Sequence, residues 1–252
     1  MCTILFAINE HEKYPLIILG NRDESYSRPS MSIHVWNDKN IIAGKDLKDG
    51  GIWMGMNKEG KIGFLTNFRN KNLIDSSKKS RGHILNKFLS TDNEIRDFAF
   101  YLHKYKDSFN PFNIVYGDLN NLFYYSNILD ETIEIGDGIH GLSNAFLDTD
   151  WKKVISGKKK LRDLLSKNEI TKSDLFKILD NTTKSWNNLP TDTGMSKKEE
   201  HHLSSMFISG NHYGTVFQTV ILVDTNNNIT IFEKHLVDNC WHSKKICFPV
   251  LL

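Results

Sequence analysis

The chain has 252 residues, of which 39% are hydrophobic and 25% charged, and its formal net charge is +2. That length and apolar fraction suit one large domain, and the near-neutral balance excludes a protein that works by bulk attraction to nucleic acid or a membrane surface. Three cysteines are too few for a disulfide framework, and no run approaches the roughly 20 apolar residues needed to span a bilayer.

The first two dozen residues carry the densest signal. Cys2 heads the apolar run 2–8, a short turn follows, and a second apolar run, 15–20, delivers the polar cluster Asn21-Arg22-Asp23-Glu24. If the two runs form a hairpin, the cluster lies beside Cys2. The start lacks a basic leader and a small-residue cleavage site, so no secretory signal is expected, and a soluble, reducing, cytoplasmic setting is the default. An organellar address stays open.

Further along, residues 33–36 and 41–43 read as short strands. The runs 52–56 and 61–68 form a hairpin around Asn57-Lys58-Glu59-Gly60. Gly55 and Gly63 inside it bare the sheet to a close neighbour. Helical spacing appears at Ile84, Leu85, Phe88 and Leu89, and again at Ile95, Phe98, Ala99 and Leu102, with capping chemistry at Thr91-Asp92-Asn93-Glu94 between them. Strand patterns return at 112–116, 122–125 and 139–144, and helices are expected over 151–165 and 172–183. Residues 186–204 read as a long surface loop, and 207–209, 215–223 and 229–234 as closing strands. The aromatic tail 241–248 is expected to pack back on the body. Strand hairpins alternating with helix pairs indicate an α+β fold in one domain, 1–252, with sheets covered by helices.

Position 2 has a specific chemical use. Removal of Met1 would leave an α-amine and a thiol on one residue, both titrating near neutrality. The amine can take the thiol's proton and later hand it to a leaving group. An Arg and an Asp nearby would orient the amine and hold the thiolate. The plainer alternative is that Cys2 is a small apolar side chain opening a buried strand. Arg22 and Asp23 have the alternative of a surface ion network with Glu24 and Arg28, Asn67 and Asn144 that of strand-end caps, and Arg81 that of a helix-start residue. The basic runs at Lys78, Lys79 and Arg81 and at Lys158–Lys160 lack interleaved aromatics, so they read as solvated helix faces and no nucleic acid is expected as partner. No Cys or His spacing matches a metal site.

Seven clusters in register extend this reading. Met1-Cys2-Thr3, Gly20-Asn21-Arg22-Asp23-Glu24 with Tyr26-Ser27-Arg28-Pro29, Gly50-Gly51-Ile52-Trp53-Met54-Gly55, Leu65-Thr66-Asn67-Phe68, Ser80-Arg81-Gly82, Gly141-Leu142-Ser143-Asn144-Ala145 and Tyr213-Gly214-Thr215 occur in this order. Together they resemble the NRDE, or transport and Golgi organisation protein 2, family. That family is similar to N-terminal nucleophile hydrolases of the choloylglycine hydrolase and penicillin V acylase type. The resemblance implies a four-layer αββα sandwich of mostly antiparallel sheets, with Cys2 at the mouth of a pocket between them. It implies a cysteine amidohydrolase acting on a small-molecule amide, with Cys2, Arg22, Asp23, Asn67 and Asn144 as the catalytic set. Asn21, Glu24, Trp53 and Arg81 are the accompanying substrate-binding candidates. No cofactor is required by that chemistry.

Two departures stand out. The acylases separate their Arg and Asp by two residues, whereas Arg22 and Asp23 are adjacent, and neighbours on a strand face opposite sides. Many family members also carry Arg after the Tyr-Gly-Thr motif, where this chain has Val216. Animal members are implicated in haem movement and in Golgi organisation and secretion. The resemblance therefore implies a second, non-catalytic reading, with haem as a ligand held by Cys2, His11, His140 or His212 beside Trp53, Met54 and Phe64.

Overall fold

The computed structural model describes residues 2–36, 40–91, 94–167 and 169–250. In chain order its elements are β1 (Cys2–Ile8), β2 (Leu16–Ser25), β3 (Ser30–Trp36), β4 (Ile41–Asp46), β5 (Met54–Asn57) and β6 (Ile62–Asn67), then α1 (Gly82–Leu89) and α2 (Ile95–Tyr105). After these come β7 (Phe112–Gly117), β8 (Leu122–Ser126), β9 (Glu131–Ile135), β10 (Gly138–Leu142), α3 (Lys152–Leu165), α4 (Lys172–Leu179), α5 (Lys197–His202), β11 (Tyr213–Val223), β12 (Asn228–Val237) and β13 (Cys240–Pro249).

The strands form two antiparallel sheets, ordered β10-β1-β2-β11-β12-β13 and β3-β4-β5-β6-β7-β8-β9. Side-chain alternation along each strand decides which layer a residue joins. Ile4 and Phe6 of β1 and Ile18 of β2 enter the core between the sheets, with Ile42, Phe64, Val115 and Tyr124 of the second sheet. The residues between them point outward. Leu5, Ile17 and Leu19 meet Leu161, Leu175 and Leu179 of α3 and α4. Ile41, Leu65, Ile114 and Tyr125 share the other outer core with Leu85 and Phe88 of α1 and Phe98 of α2. Three stacked cores between four layers make the αββα sandwich, and each fully buried Leu, Ile or Phe contributes about 1.5–3 kcal/mol. No helix among the described residues is long and apolar enough to cross a membrane.

The neighbour admitted by Gly55 and Gly63 is α1. A Cβ at Gly55 would lie 3.3 Å from Leu89 Cδ1, and one at Gly63 2.6 Å from Leu85 Cδ2.

Several local expectations change. The stretch 186–204 is not all loop: α5 lies within it, started by a capping box in which Ser196 accepts from the Glu199 amide and Glu199 reciprocates. Residues 207–209 form no strand, because the backbone there is engaged by Asn181 and Thr215 rather than by a ladder. The tail does not simply pack back; it is β13, the outer strand of the first sheet. β9, an outer strand of the second sheet, gave no sequence signal because most of its side chains are exposed. Asp92, Asn93 and Met1 lie outside the described residues; α2 begins after Glu94, whose side chain makes no cap bond.

One backbone contact fixes where α1 begins. Gly51 and Gly82 touch so closely that a Cβ on either would sit 2.6 Å from the other's Cα, and the Ile52 amide donates to the Gly82 carbonyl at 3.2 Å. Gly82→Ala has no side-chain end to displace, only backbone. We expect it to cost about 1–3 kcal/mol in urea unfolding, with a larger loss than Gly136→Ala, where nothing lies within 4 Å.

Candidate active site

Cys2 and Arg22 are direct cross-strand partners, so their side chains share a face. It is the inner face, the one that carries Ile4 and Phe6 into the core between the sheets. At this end of the sandwich the apolar core stops and a cavity of about 390 Å³ opens. Its wall takes Cys2, Arg22 and Glu24 from the first sheet, Asp46, Trp53 and Asn67 from the second, and Arg81 and Gly82 from the head of α1. Cys2 is 8% exposed and lines the cavity.

Arg22 is held on three sides. It donates to Asp46 Oδ2 at 2.9 Å, stands 3.9 Å from Glu24, and lies over the Trp53 ring at 4.5 Å and the Phe217 ring at 5.8 Å. Asp46 also accepts from Arg28 Nε at 2.6 Å, and Arg28 reaches Asp49 at 2.6 Å. Burial alone would raise the Asp46 carboxyl; the Arg28 hydrogen bond and the Asp49 amide outweigh it and hold it below the usual range. The network runs from a buried core, Arg22 and Asp46, out to half-buried Arg28 and Glu24 and exposed Asp49 at the cavity mouth. Lys78 and Lys79, expected on a solvated helix face, lie before α1 and line this cavity with Arg81.

Asp23 follows the period-two rule and does not join the cavity wall. It faces α3 and α4, fully buried, where it accepts from Thr215 Oγ1 at 2.7 Å. Burial pushes its carboxyl up, and the charge of Lys153 is the largest opposing influence. Asn21 shares that outer face and is not a cavity residue. Its amide donates to the Leu179 carbonyl at 2.9 Å and the Met206 carbonyl at 3.0 Å, tying β2 to the end of α4. Asn144 is likewise buried behind the wall. It donates to the Asn67 carbonyl at 2.9 Å, and its own carbonyl oxygens accept from Arg69. Of the nine residues singled out in the sequence, six line the cavity: Cys2, Arg22, Glu24, Trp53, Asn67 and Arg81.

Burial is also the largest influence on the Cys2 thiol and pushes it up; Asp23 and Glu24 add to this, while Arg22 opposes it. The net effect favours the protonated thiol. Ser143 was not among the residues expected at the site; its hydroxyl donates to the Cys2 carbonyl oxygen at 3.3 Å and lies 3.0 Å from the Thr3 hydroxyl.

Sequence reasoning missed a second polar layer on the other face of the sheet from Cys2. Arg69 pairs with Glu200 of α5, both buried, and Thr193 donates to Glu200 at 2.5 Å. Lys153 of α3 is 3% exposed and donates to the Leu203 carbonyl at 3.3 Å. Burial and then the Arg69 charge lower it to about 7. No periodicity could mark these residues, because they come from three separate segments: Arg69 follows β6, Lys153 lies on α3, and Thr193 and Glu200 lie within 186–204.

Of the haem-ligand candidates, Cys2 lines the cavity and the three histidines lie elsewhere. His140 is engaged by Asp148 at 2.8 Å and the Gly136 carbonyl at 3.1 Å, His11 stacks on Tyr14, and neither these nor His212 lines the cavity. Met54 and Phe64 belong to the core between the sheets. Among the described residues no three His, Cys, Asp or Glu side chains converge as a metal site.

Two stability measurements follow. Glu200→Gln strands a buried guanidinium and should cost about 3–5 kcal/mol in urea unfolding, with part of that recovered when Arg69→Met is added. For Lys153 the folded-state value lies below the ordinary 10.5. Its penalty is absent above that value, where both states are neutral, and grows as pH falls and only the unfolded chain takes the proton. Wild type should therefore lose stability relative to Lys153→Met between about pH 10 and 7 and run parallel to it below.

The sequence matches the Transport and Golgi organisation 2 family over residues 1–238. It is 31% identical to the mouse Transport and Golgi organization 2 homolog over 263 aligned positions, and 30% identical to the human homolog over 261. Each alignment covers 94% of both chains. Among solved structures, the fold is similar to that of the C2A mutant of a conjugated bile acid hydrolase from Clostridium perfringens. The TM-score is 0.54 at 11% identity, covering 98% of this chain and 92% of that one. With its cysteine, its arginine and their cavity set at one end of such a sandwich, the chain belongs to the Transport and Golgi organisation 2 family.

Proposed function

We propose that the protein is a cysteine amidohydrolase whose nucleophile is Cys2 and whose base is the α-amine that Cys2 gains when Met1 is removed. One observation carries the reading: a buried thiol opens onto a polar cavity beside an arginine, on the strand face set by the Cys2–Arg22 pairing. The similarity of fold to a hydrolase supports it at the level of architecture.

The adjacency of Arg22 and Asp23 then acquires a use. The thiol projects to the inner face, where Arg22 lies; the amine lies in the plane of the sheet at the head of β1. Asp23, on the outer face, can hold an ammonium there without crowding the cavity. In the reaction the amine takes the thiol proton and the thiolate attacks the amide carbon. The side-chain amide of Asn67, on the cavity wall, donates to the resulting oxyanion, an interaction worth about 3–4 kcal/mol per donor in a well-studied protease. The ammonium gives its proton to the departing nitrogen as the C–N bond breaks. Water then cleaves the thioester and restores the thiol. Asn144 positions rather than reacts: its bond to the Asn67 carbonyl holds the end of β6 against the wall.

Haem carriage and a function in Golgi organisation or secretion have no comparable observation in the cavity, whose wall is polar and carries no histidine.

The intact mass of the purified mature chain should be short by one methionine residue, and Cys2→Ser should unfold at the wild-type midpoint while losing hydrolysis of a panel of small acyl amides. Retention of Met1 on a protein that still turns over would remove the amine from the mechanism; full activity in Cys2→Ser would remove the thiol.

A further inference from the structure

The charges in the cavity wall do not balance, and the imbalance is local. Six cationic and three acidic side chains line it. The acids are all engaged by two arginines: Asp46 by Arg22 and Arg28, Asp49 by Arg28, and Glu24 within 3.9 Å of Arg22. Among the described residues, Arg81, Lys78 and Lys79 have no carboxylate within 4.0 Å.

Arg81 is the informative one. Arg81 is half-buried, and the Gly51–Gly82 contact fixes the backbone beside it. Its one hydrogen bond is from Nη1 to the Pro111 carbonyl at 3.1 Å, which leaves the guanidinium's other donors without a protein acceptor on a side chain that lines the cavity. Burial is the main influence on it and acts against its charge. Glu24 favours the charge from a distance, but half-burying a cation with no carboxylate in contact still carries a cost. The side chain makes no cap bond to α1, so the helix does not explain its presence. What offsets that cost is an anion that enters the cavity, and a planar fork with free donors matches a carboxylate.

We propose that Arg81, flanked by Lys78 and Lys79, forms a carboxylate-binding subsite, so that the amide cleaved at Cys2 belongs to a small molecule bearing a free carboxylate. This assignment of substrate class rests on the amidohydrolase reading; the subsite itself does not. The volume of about 390 Å³ sits in the lower part of the range for small-molecule sites and suits a compact ligand. Arg22 is not the anchor, since Asp46 already neutralises it.

Two measurements test the subsite without using turnover. In the first, iodoacetate and its neutral counterpart iodoacetamide compete for the thiols of the full chain, and the rate ratio at Cys2 is compared with that at the exposed Cys240. The anion should be favoured at Cys2 relative to Cys240, and the preference should fall about tenfold in Arg81→Gln and largely survive in Arg81→Lys. Equal ratios at the two cysteines would overturn the subsite. In the second, which needs no reactive thiol, N-acetylglycine should raise the unfolding midpoint of Cys2→Ser, whereas N-acetylglycinamide should not. The rise should vanish in Cys2→Ser/Arg81→Gln. Stabilisation by both compounds or by neither would overturn the carboxylate assignment. Amide hydrolysis that depends on Cys2 but not on Arg81 would sink the subsite and leave the amidohydrolase standing; an intact anion preference on a protein without hydrolysis would do the reverse.

Discussion

The alternation of side chains along β2 is the constraint on which the rest of the site depends. A strand cannot turn two consecutive side chains the same way. The pairing of Cys2 with Arg22 commits Arg22 and Glu24 to the space between the sheets and sends Asn21 and Asp23 to the helix layer. A one-residue slip of β1 against β2 would set Asp23 opposite the thiol and bury Arg22 against Leu179 and Met206. The register is protected by the long apolar pairing behind it, from Ile4 with Gly20 to Ile8 with Leu16, where a slip would expose one core and overfill the other.

Two polar networks follow from that split, one on each face of the sheet. In front, Asp46 bridges two guanidinium groups and accepts from the backbone amides of Lys48 and Asp49 at 3.1 and 3.0 Å. Behind, Asp23, Lys153, Arg69 and Glu200 share a region almost closed to water. Buried charges of this kind contribute little net stability when paired and cost much when one partner is lost. Their arrangement therefore says more about what the site must do than about what holds the fold. The front network fixes an arginine near the thiol, and the rear one surrounds the carboxylate that lies under the head of β1.

Much of this was legible in the residues and some of it could not be. The hairpin of β1 and β2, the glycine-bearing hairpin of β5 and β6, and the four long helices announce themselves through period and turn chemistry. The placement of Asp23 also follows from strand geometry alone, once β2 is taken as unbroken. What the sequence hides is convergence. Asp46 sits among ordinary turn residues, and Lys153 looks like one more lysine on a basic helix until the helix is laid on the sheet. Glu200 lies in a stretch whose polarity reads as surface. A charged residue signals burial only through its neighbours in space, and those are set by the packing of α3 and α5, not by anything local.

Val216 shows how one residue can be placed by such packing without serving either network. The register between β2 and β11 shifts there, so that Thr215 pairs with Asp23 and Phe217 with Arg22 while Val216 is the extra residue. The bulge lets both neighbours serve β2 at once. Thr215 donates to the Asp23 carboxylate on the outer face, and Phe217 lies beside Trp53, at 4.9 Å, against the Arg22 guanidinium. A regular strand would set Val216 opposite Arg22 and carry Phe217 away from it. Position 216 is therefore the hinge of the bulge, which is built with an apolar side chain that is 7% exposed. The cation that faces the thiol comes from β2, and its aromatic and acidic supports are complete without a second one from β11.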